Sequence, residues 1–590
     1  MERNLDHIVG RAHDLVVIGG GIFGACAAWD ATLRGLSVVL IERDDFGGAT
    51  SANSFRMAHG GIRYLQHADI VRVRQSCRER SALLRVAPHL VEPLPIAIPT
   101  YGHGREGKAF LGAGLLAYDL LTLDRNRGIP DPTRHVPWGR LLGRRALLDL
   151  FPSLEDPRLT GAAVFCDGQF YSGPRLVLSF LRAAVERGAL AANYLEATGL
   201  LQDSNGRVTG VSARDRVSGE DIEVRAAAVL NATGPWAPDF LRRSLPGTAA
   251  PRVPFSRDAC FIVSKRFPGR LGLAMSGATK DPDALLSRAA RHLFVVPWRD
   301  YSLVGVWHVV WPDHPDTVTV TEPELGAFLH EVNGAFPGLD LALEDVRAWN
   351  AGLVPFGDND PEAKNLRYGH RSHVIDHGQD GLPGLVSLIG VRYTVARGDA
   401  AHAVDLAVAA QGRQAPRPPT EREPVFGGDF ARFDDLVAEA GRASPVPLDE
   451  PTLTALAHNY GAEYGRVLAY AREAPDPGEN RGESLGETLD GSRVLKAEVV
   501  HAVREEMALN LTDVAFRRTD LATGGDPGEA ALGACAALMA RERGWSEAET
   551  ERQLEAVRAR LFRNGPGRAP AATDAGPAPQ AAHRQRELAP

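Results

Sequence analysis

Cysteine is scarce in this 590-residue chain: five, at Cys26, Cys77, Cys166, Cys260 and Cys535, with no Cys-x-x-Cys pair among them. That scatter excludes a disulfide framework and a zinc site of the usual ligand spacing, and no metal is expected. Positive charge is not in surplus either. A formal net charge of −8 gives no general attraction to nucleic acid. No apolar run reaches the roughly eighteen residues that span a bilayer. The opening MERNLDHIVGRAHD lacks the apolar core of a secretory signal, so a cytoplasmic location is expected. No internal repeat is present. The chain is too long for one hydrophobic core, so two or three domains are expected.

What is present is concentrated between Asp14 and Leu65. An apolar strand, Asp14 to Ile18, runs into Gly19-Gly20-Gly21-Ile22-Phe23-Gly24. An Ala-rich helical run follows, then a second apolar strand, Ser37 to Ile41, ending in Glu42. Alone, Gly-x-Gly-x-x-Gly is a weak signal. Between a strand and a helix, with an acid about twenty residues on, it is a dinucleotide fingerprint. Gly19 makes the tight turn, Gly21 lets the backbone approach a pyrophosphate, and Gly24 lets helix and strand pack closely. The helix start at Ile22 and Phe23 offers N–H groups and a positive dipole end to phosphate. Glu42 suits ribose hydroxyls. The next segment, Gly47 to Ser54, is small and hydroxyl-rich, with Thr50, Ser51 and Ser54; Arg56 and His59-Gly60-Gly61-Ile62-Arg63-Tyr64 follow. A nicotinamide has little use for such a segment. A flavin, with a ribityl chain and a large ring, needs these close backbone and hydroxyl contacts.

These motifs resemble those of the FAD-dependent, respiratory glycerol-3-phosphate dehydrogenases, within the D-amino-acid-oxidase-like flavoprotein superfamily. Asn231-Ala232-Thr233-Gly234-Pro235-Trp236 looks like the family's second flavin-contacting turn, and Ser387 to Thr394 like its C-terminal flavin segment. Asn459-Tyr460-Gly461 and Asp513 to Thr519 are similar to its helical C-terminal domain. The resemblance implies an α/β fold: a Rossmann-like FAD-binding domain, an antiparallel-sheet substrate domain and a helical C-terminal domain. It implies FAD as cofactor and oxidation of a secondary alcohol, glycerol-3-phosphate or a related polar or anionic polyol, by hydride transfer to flavin N5. It adds His59, Gly60, Gly61, Ala197, Ala232, Gly234, Gly390, Arg392, Tyr393 and Thr394 to the cofactor-binding residues. Arg63, Tyr64, Arg371 and Arg392 are the substrate-side groups it implies.

Segment boundaries follow from pattern. Residues 1–90, 165–250 and 365–412 are expected to form the FAD-binding domain, and 91–164 with 251–364 the substrate domain. Alternation in Cys260-Phe261-Ile262-Val263 and Leu293-Phe294-Val295-Val296 reads as antiparallel sheet, while 91–165 reads as Pro- and Gly-punctuated connections around one helix. A Pro-rich linker, Ala415 to Thr420, precedes helical residues 421–562; from 565 the Ala/Pro/Gly composition argues for disorder.

Three substrate-side motifs depart from the family. Its Gly-Thr-Thr-Asp is Gly305-Val306-Trp307-His308 here. Its Gly-Val-Arg-Pro-Leu is Gly352-Leu353-Val354-Pro355-Phe356, so Val354 stands where a phosphate-binding arginine is usual. Its Gly-Gly-Lys-Leu-Thr-Thr-Tyr-Arg is Gly390-Val391-Arg392-Tyr393-Thr394-Val395-Ala396-Arg397, where Arg392 in place of the lysine keeps a charge with a different geometry. The change at Val354 removes a bidentate, charge-assisted contact. Trp307 adds a flat apolar wall. His308 has a side chain suited to general-base work near neutrality, although a histidine bonded to a backbone carbonyl at a sheet edge explains it as well.

One further stretch, Lys108 to Leu123, is a short apolar helix with Arg105, Arg125 and Arg127 at its ends. It suits the plane of a membrane interface and equally a helix packed on the substrate domain. The resemblance favours peripheral contact with the inner membrane face, with quinone or another electron acceptor as partner. Homodimer formation is left open. Two other functions remain open too: an amino- or hydroxy-acid oxidase on the same fold, and a non-catalytic flavoprotein.

Overall fold

The structure is a computed structural model that describes residues 1–154, 156–245, 251–267, 269–280, 290–356, 371–472 and 484–565. The strand His13–Ile18 is the centre of its first sheet, pairing in parallel with Val38–Ile41 on one side and Asp221–Asn231 on the other. Leu190–Ala192 and Leu385–Ile389 extend the parallel order outward, and His373–Asp376 closes one edge antiparallel. Alternation along the central strand separates two cores. Leu15 and Val17 pack with the helices Ile22–Leu33, Gly173–Glu186 and Ala396–Ala409, while Val16 and Ile18 pack on the other face with Leu195, Val211 and Phe240. Both faces are covered, as a parallel sheet requires.

The second sheet has nine strands, with Val346–Pro355, Phe255–Val263, Tyr301–Trp311, Ala290–Trp298 and Gly272–Lys280 following one another across it. Next come Val91–Tyr101, Leu159–Phe170 and Met57–Ala58. All pairings are antiparallel except the short parallel contact of Gly272 and Leu273 with Ile96 and Ala97. This corrects the expectation for 91–165, because Val91–Tyr101 and Leu159–Phe170 pair along their whole lengths. Pro93, Pro95 and Pro99 occupy alternate positions, so their missing N–H groups lie on one edge of the strand and the other edge keeps its ladder. The boundary expected at 165 falls inside a strand.

The helix Lys108–Leu121 forms where the apolar stretch lies. Its inner face is Leu115 and Tyr118; Phe110, Leu116, Leu120 and nearby Leu123, Trp138 and Leu141 are exposed. Arg125 differs from expectation. It is buried, donating to the Val136 carbonyl and pairing with Asp119, and so supplies no basic end at the surface. Among the described residues no helix is long and apolar enough to cross a membrane. The tail expected to be disordered lies, from 566 on, outside the described residues.

The C-terminal helices, among them Lys496–Glu506, Glu529–Arg543 and Glu547–Asn564, build a core of their own. They dock through buried ion pairs. Asp45, at the end of the nucleotide strand's loop, accepts from Arg518 Nη1 and Nη2 at 2.7 Å each and from Arg517 Nε at 2.5 Å. Glu506 takes Arg175 at 2.6 Å and Arg182 at 2.9 Å. Burial alone would push the Asp45 carboxyl up, but the two guanidiniums outweigh it and hold it below the usual aspartate range. A folded-state value below the unfolded one stabilises above the ordinary carboxyl range and is lost as pH falls. Asp45→Asn leaves two buried guanidiniums without their carboxylate and is expected to lower stability by about 3–5 kcal/mol near neutrality. In urea unfolding followed by circular dichroism, the gap to wild type narrows as the solution is acidified; a constant gap from neutral to acid pH would contradict the charge pairing.

Candidate active site

Short-range sterics shape the nucleotide end. Gly19 has φ +105°, and a Cβ there would lie 2.6 Å from the Ala232 carbonyl oxygen. A Cβ on Gly24 would sit 1.9 Å from the Gly19 oxygen, so close packing of helix on strand admits only glycine. Glu42 holds the loop from the second strand: its carboxylate accepts from Gly20 N at 2.6 Å and Asp44 N at 2.8 Å. Burial raises the Glu42 carboxyl, and these two N–H groups only partly offset it. Ser51 Oγ accepts from Ile22 N at 3.0 Å and so caps the helix Ile22–Leu33 from the neighbouring hydroxyl-rich segment.

Both sheets open onto one cavity of about 1630 Å³. A ligand pocket is commonly about 300–1,000 Å³, so this one has room for a dinucleotide with a substrate beside it. Gly19, Gly21, Ile22, Phe23, Glu42, Thr50, Ser51 and Ser54 line it, as do His59, Gly61, Ala197, Ala232 and Gly234. Gly390, Arg392, Tyr393 and Thr394 complete the expected set. Two expected residues do not line it. Gly24 serves helix packing, and Gly60 is turned away, where a Cβ would meet Arg80 Nη1 at 2.1 Å and the Tyr118 hydroxyl at 2.3 Å. Thr50 also ties the two sheets together, since its hydroxyl exchanges hydrogen bonds of 3.1 Å with Leu353 N and O. His59 is fixed by Asp167, 3.0 Å from Nδ1, and by its own N–H donating to Thr394 Oγ1 at 3.1 Å.

The substrate end brings Arg63, Tyr64, Arg392 and His308 to the same cavity. Arg392 Nη1 donates to the Tyr64 hydroxyl and to Ser76 Oγ, each at 3.0 Å. His308 and Asp258 face each other across adjacent strands, and His308 Nδ1 is in hydrogen-bond contact with Asp258 Oδ1. The histidine is therefore held by a carboxylate. Trp307, Val354 and Phe356 supply apolar wall. Arg371 is a correction: it is exposed and is not among the lining residues, its charge acting on Asp69 near the surface.

Two lining residues had no role in the sequence reading. Asp258 could not be found there, because its pairing with His308 depends on strand register. Arg56 stands inside the flavin motif but gave no sign of its environment. It is buried, with its guanidinium 4.0 Å from the Trp298 ring and Nη1 without a hydrogen-bond partner. Burial pushes it down to about 10. The glycine cradle, the engaged acid at Glu42 and this orphaned cation fit FAD: Gly21 and Ile22 would meet the diphosphate, Glu42 the ribose, and the Arg56 side the flavin ring.

The family model of the FAD dependent oxidoreductases matches residues 14–395, and that of the C-terminal domain of alpha-glycerophosphate oxidase matches 418–550. The chain is 33% identical over 564 residues to "Glycerol-3-phosphate dehydrogenase" from Synechocystis, covering 94% of this chain and 97% of that one. It is 30% identical over 574 residues to the human mitochondrial glycerol-3-phosphate dehydrogenase, covering 93% and 73%. The Bacillus halodurans glycerol-3-phosphate dehydrogenase complexed with FAD superimposes with a TM-score of 0.72 at 24% identity, over 95% of this chain and 96% of that one. Fold, cradle and family model agree, and the chain belongs to the FAD-dependent oxidoreductases.

Proposed function

We propose that the chain oxidises the secondary alcohol of glycerol-3-phosphate, or of a closely related anionic polyol, to the ketone. The observation that carries this is the pairing, in one cavity, of the cationic cluster Arg63–Tyr64–Arg392 with the His308–Asp258 dyad. Bound FAD supplies the two-electron hydride acceptor. The chain's own residues do the rest. Arg63 and Arg392 hold the anionic group of the substrate, and Tyr64 keeps Arg392 oriented through its hydroxyl. Asp258 holds Nδ1 of His308, so Nε2 is the ring nitrogen that takes the hydroxyl proton. Phe356 and Trp307 keep the reacting carbon on a dry wall.

The alternative of an amino- or hydroxy-acid oxidase draws no support from the glycerophosphate-oxidase match at 418–550. Anaerobic addition of glycerol-3-phosphate is expected to bleach the flavin absorbance; bleaching by amino acids alone, or by no small alcohol, would overturn the reading. Val354 lies in the wall where the family carries an arginine, so affinity is expected to be poor. Val354→Arg restores one charge-assisted contact of roughly 1.5–3 kcal/mol, and the apparent affinity should rise about ten- to hundredfold. Tight use by the wild type would show that other cations suffice.

His308→Ala is expected to slow flavin reduction about a hundredfold or more at saturating substrate while binding changes little. Stopped-flow measurement decides this; an unchanged rate eliminates His308 as the base.

The exposed face of Phe110, Leu116, Leu120 and Leu123, with Arg105, Arg140 and Arg144 exposed around it, supports peripheral contact with an anionic membrane surface and delivery of electrons to a quinone there. Leu115 is unsuited to test this, being buried. Leu116→Asp with Leu120→Asp should abolish co-sedimentation with anionic liposomes and leave the flavin spectrum unaltered; equal sedimentation would exclude this face.

A further inference from the structure

The helix Glu547–Asn564, the last among the described residues, returns from the C-terminal bundle to wall the cavity. Arg560 on that helix lines the cavity with Gly48, Ala49 and Asn53, and lines a small adjoining pocket with Ala52 and Asn53. These are residues of the hydroxyl-rich segment that follows the second nucleotide strand. The Phe516 ring, 4.1 Å from the guanidinium, holds Arg560 there.

Three other arginines that line the cavity are already paired. Arg43 pairs with Asp44 and Asp316, Arg552 with Glu549, and Arg517 with Asp45 and Asp513. Among the described residues Arg560 has neither a hydrogen-bond nor an ion-pair partner. Burial, and then the charge of Arg517, pushes its guanidinium down to about 9, still protonated at neutral pH. A partly buried cation without a counter-ion is unfavourable unless an anion arrives. The acids of the cradle beside it are already engaged, Asp45 by Arg517 and Arg518, Asp44 by Arg43 and Arg216, and Glu42 by backbone N–H groups. A dinucleotide placed in that cradle brings two phosphate charges.

We propose that Arg560 binds the diphosphate of FAD, so that the C-terminal helical domain forms part of the cofactor site. The domain then closes over the nucleotide as well as docking beside it, and release of the flavin requires this helix to part from the cradle. A guanidinium suits the task because its fork can meet two phosphate oxygens at once.

The test uses the flavin-loaded full chain and follows release of FAD by the rise in free-flavin fluorescence. Arg560→Gln is expected to weaken FAD retention about ten- to hundredfold and to lessen its sensitivity to salt. Arg560→Lys, which keeps the charge without the fork, should lose less. Unchanged retention in Arg560→Gln overturns the proposal, and so does an equal loss in Arg563→Gln, which would mark a general charge effect. Should the Gln variant fail to fold by circular dichroism, phosphorus NMR of FAD bound to the Arg560→Lys variant decides. Displaced diphosphate resonances support the contact, and resonances unmoved from wild type overturn it.

Discussion

Everything at the nucleotide end depends on the buried pairing of Asp45 with Arg517 and Arg518. Asp45 lies three residues after Glu42, and its two oxygens are shared between guanidiniums that come from the far end of the chain. Asp513 pairs in turn with Arg517, and Tyr194 donates to Asp513 at 2.7 Å. None of these charged groups has free access to water, so removing one strands the others at a cost far above that of a surface pair. The loop from Glu42 to Gly48 is thereby fixed from outside the nucleotide domain. A second knot, Glu506 with Arg175 and Arg182, anchors the same bundle to the helix Gly173–Glu186. The C-terminal domain is a structural partner of the cradle, not an appendage beyond a linker.

The second constraint joins the two sheets. Thr50 bonds Leu353 in both directions, and a Cβ on Gly352 would lie 2.9 Å from Thr50. The flavin segment and the substrate-side strand Val346–Pro355 are therefore clamped at contact distance. Val354, one residue beyond that clamp, is held in the wall of the cavity with little freedom to move away. The clamp explains how the substrate side can be rewritten at Trp307, His308 and Val354 while the flavin side keeps its form. Changes confined to side chains pointing inward leave the backbone contacts between the sheets alone.

What the sequence made legible follows from the range of each interaction. The cradle was readable because its parts are contiguous: Gly19, Gly21, Gly24 and Glu42 act within one strand–helix–strand unit, and each has a local steric or hydrogen-bonding reason. The antiparallel strands around Cys260 and Leu293 were readable from alternation. Val91–Tyr101 was not, because its three prolines read as punctuation, and only their common parity reveals a strand with one usable edge. The His308–Asp258 contact depends on the register of two strands fifty residues apart, and no local pattern encodes that. Arg371 failed for the opposite reason: the motif matched, but the side chain lies exposed beside Asp69's surroundings and not in the cavity wall. The inward turn of Arg125 was equally hidden, since a buried partner, Asp119, lies in the same helix that made the arginine look like a surface charge.

The helix Lys108–Leu121 shows how the outer surface and the flavin segment are mechanically one. Its outer face carries Phe110, Leu116 and Leu120. One residue of its inner face, Tyr118, donates to the Gly60 carbonyl at 3.0 Å. Gly60 N donates to Asp167 at 2.6 Å, and Asp167 also holds the His59 ring and the fully buried Arg80. Burial would raise the Asp167 carboxyl, but His59, Arg80 and the Gly60 N–H keep it low, so it stays a charged hub. One hydrogen bond thus links a surface helix to the loop that borders the cavity, and two more fix that loop on Asp167. A partner bound on the apolar face would press on the turn His59-Gly60-Gly61 through rigid, buried contacts.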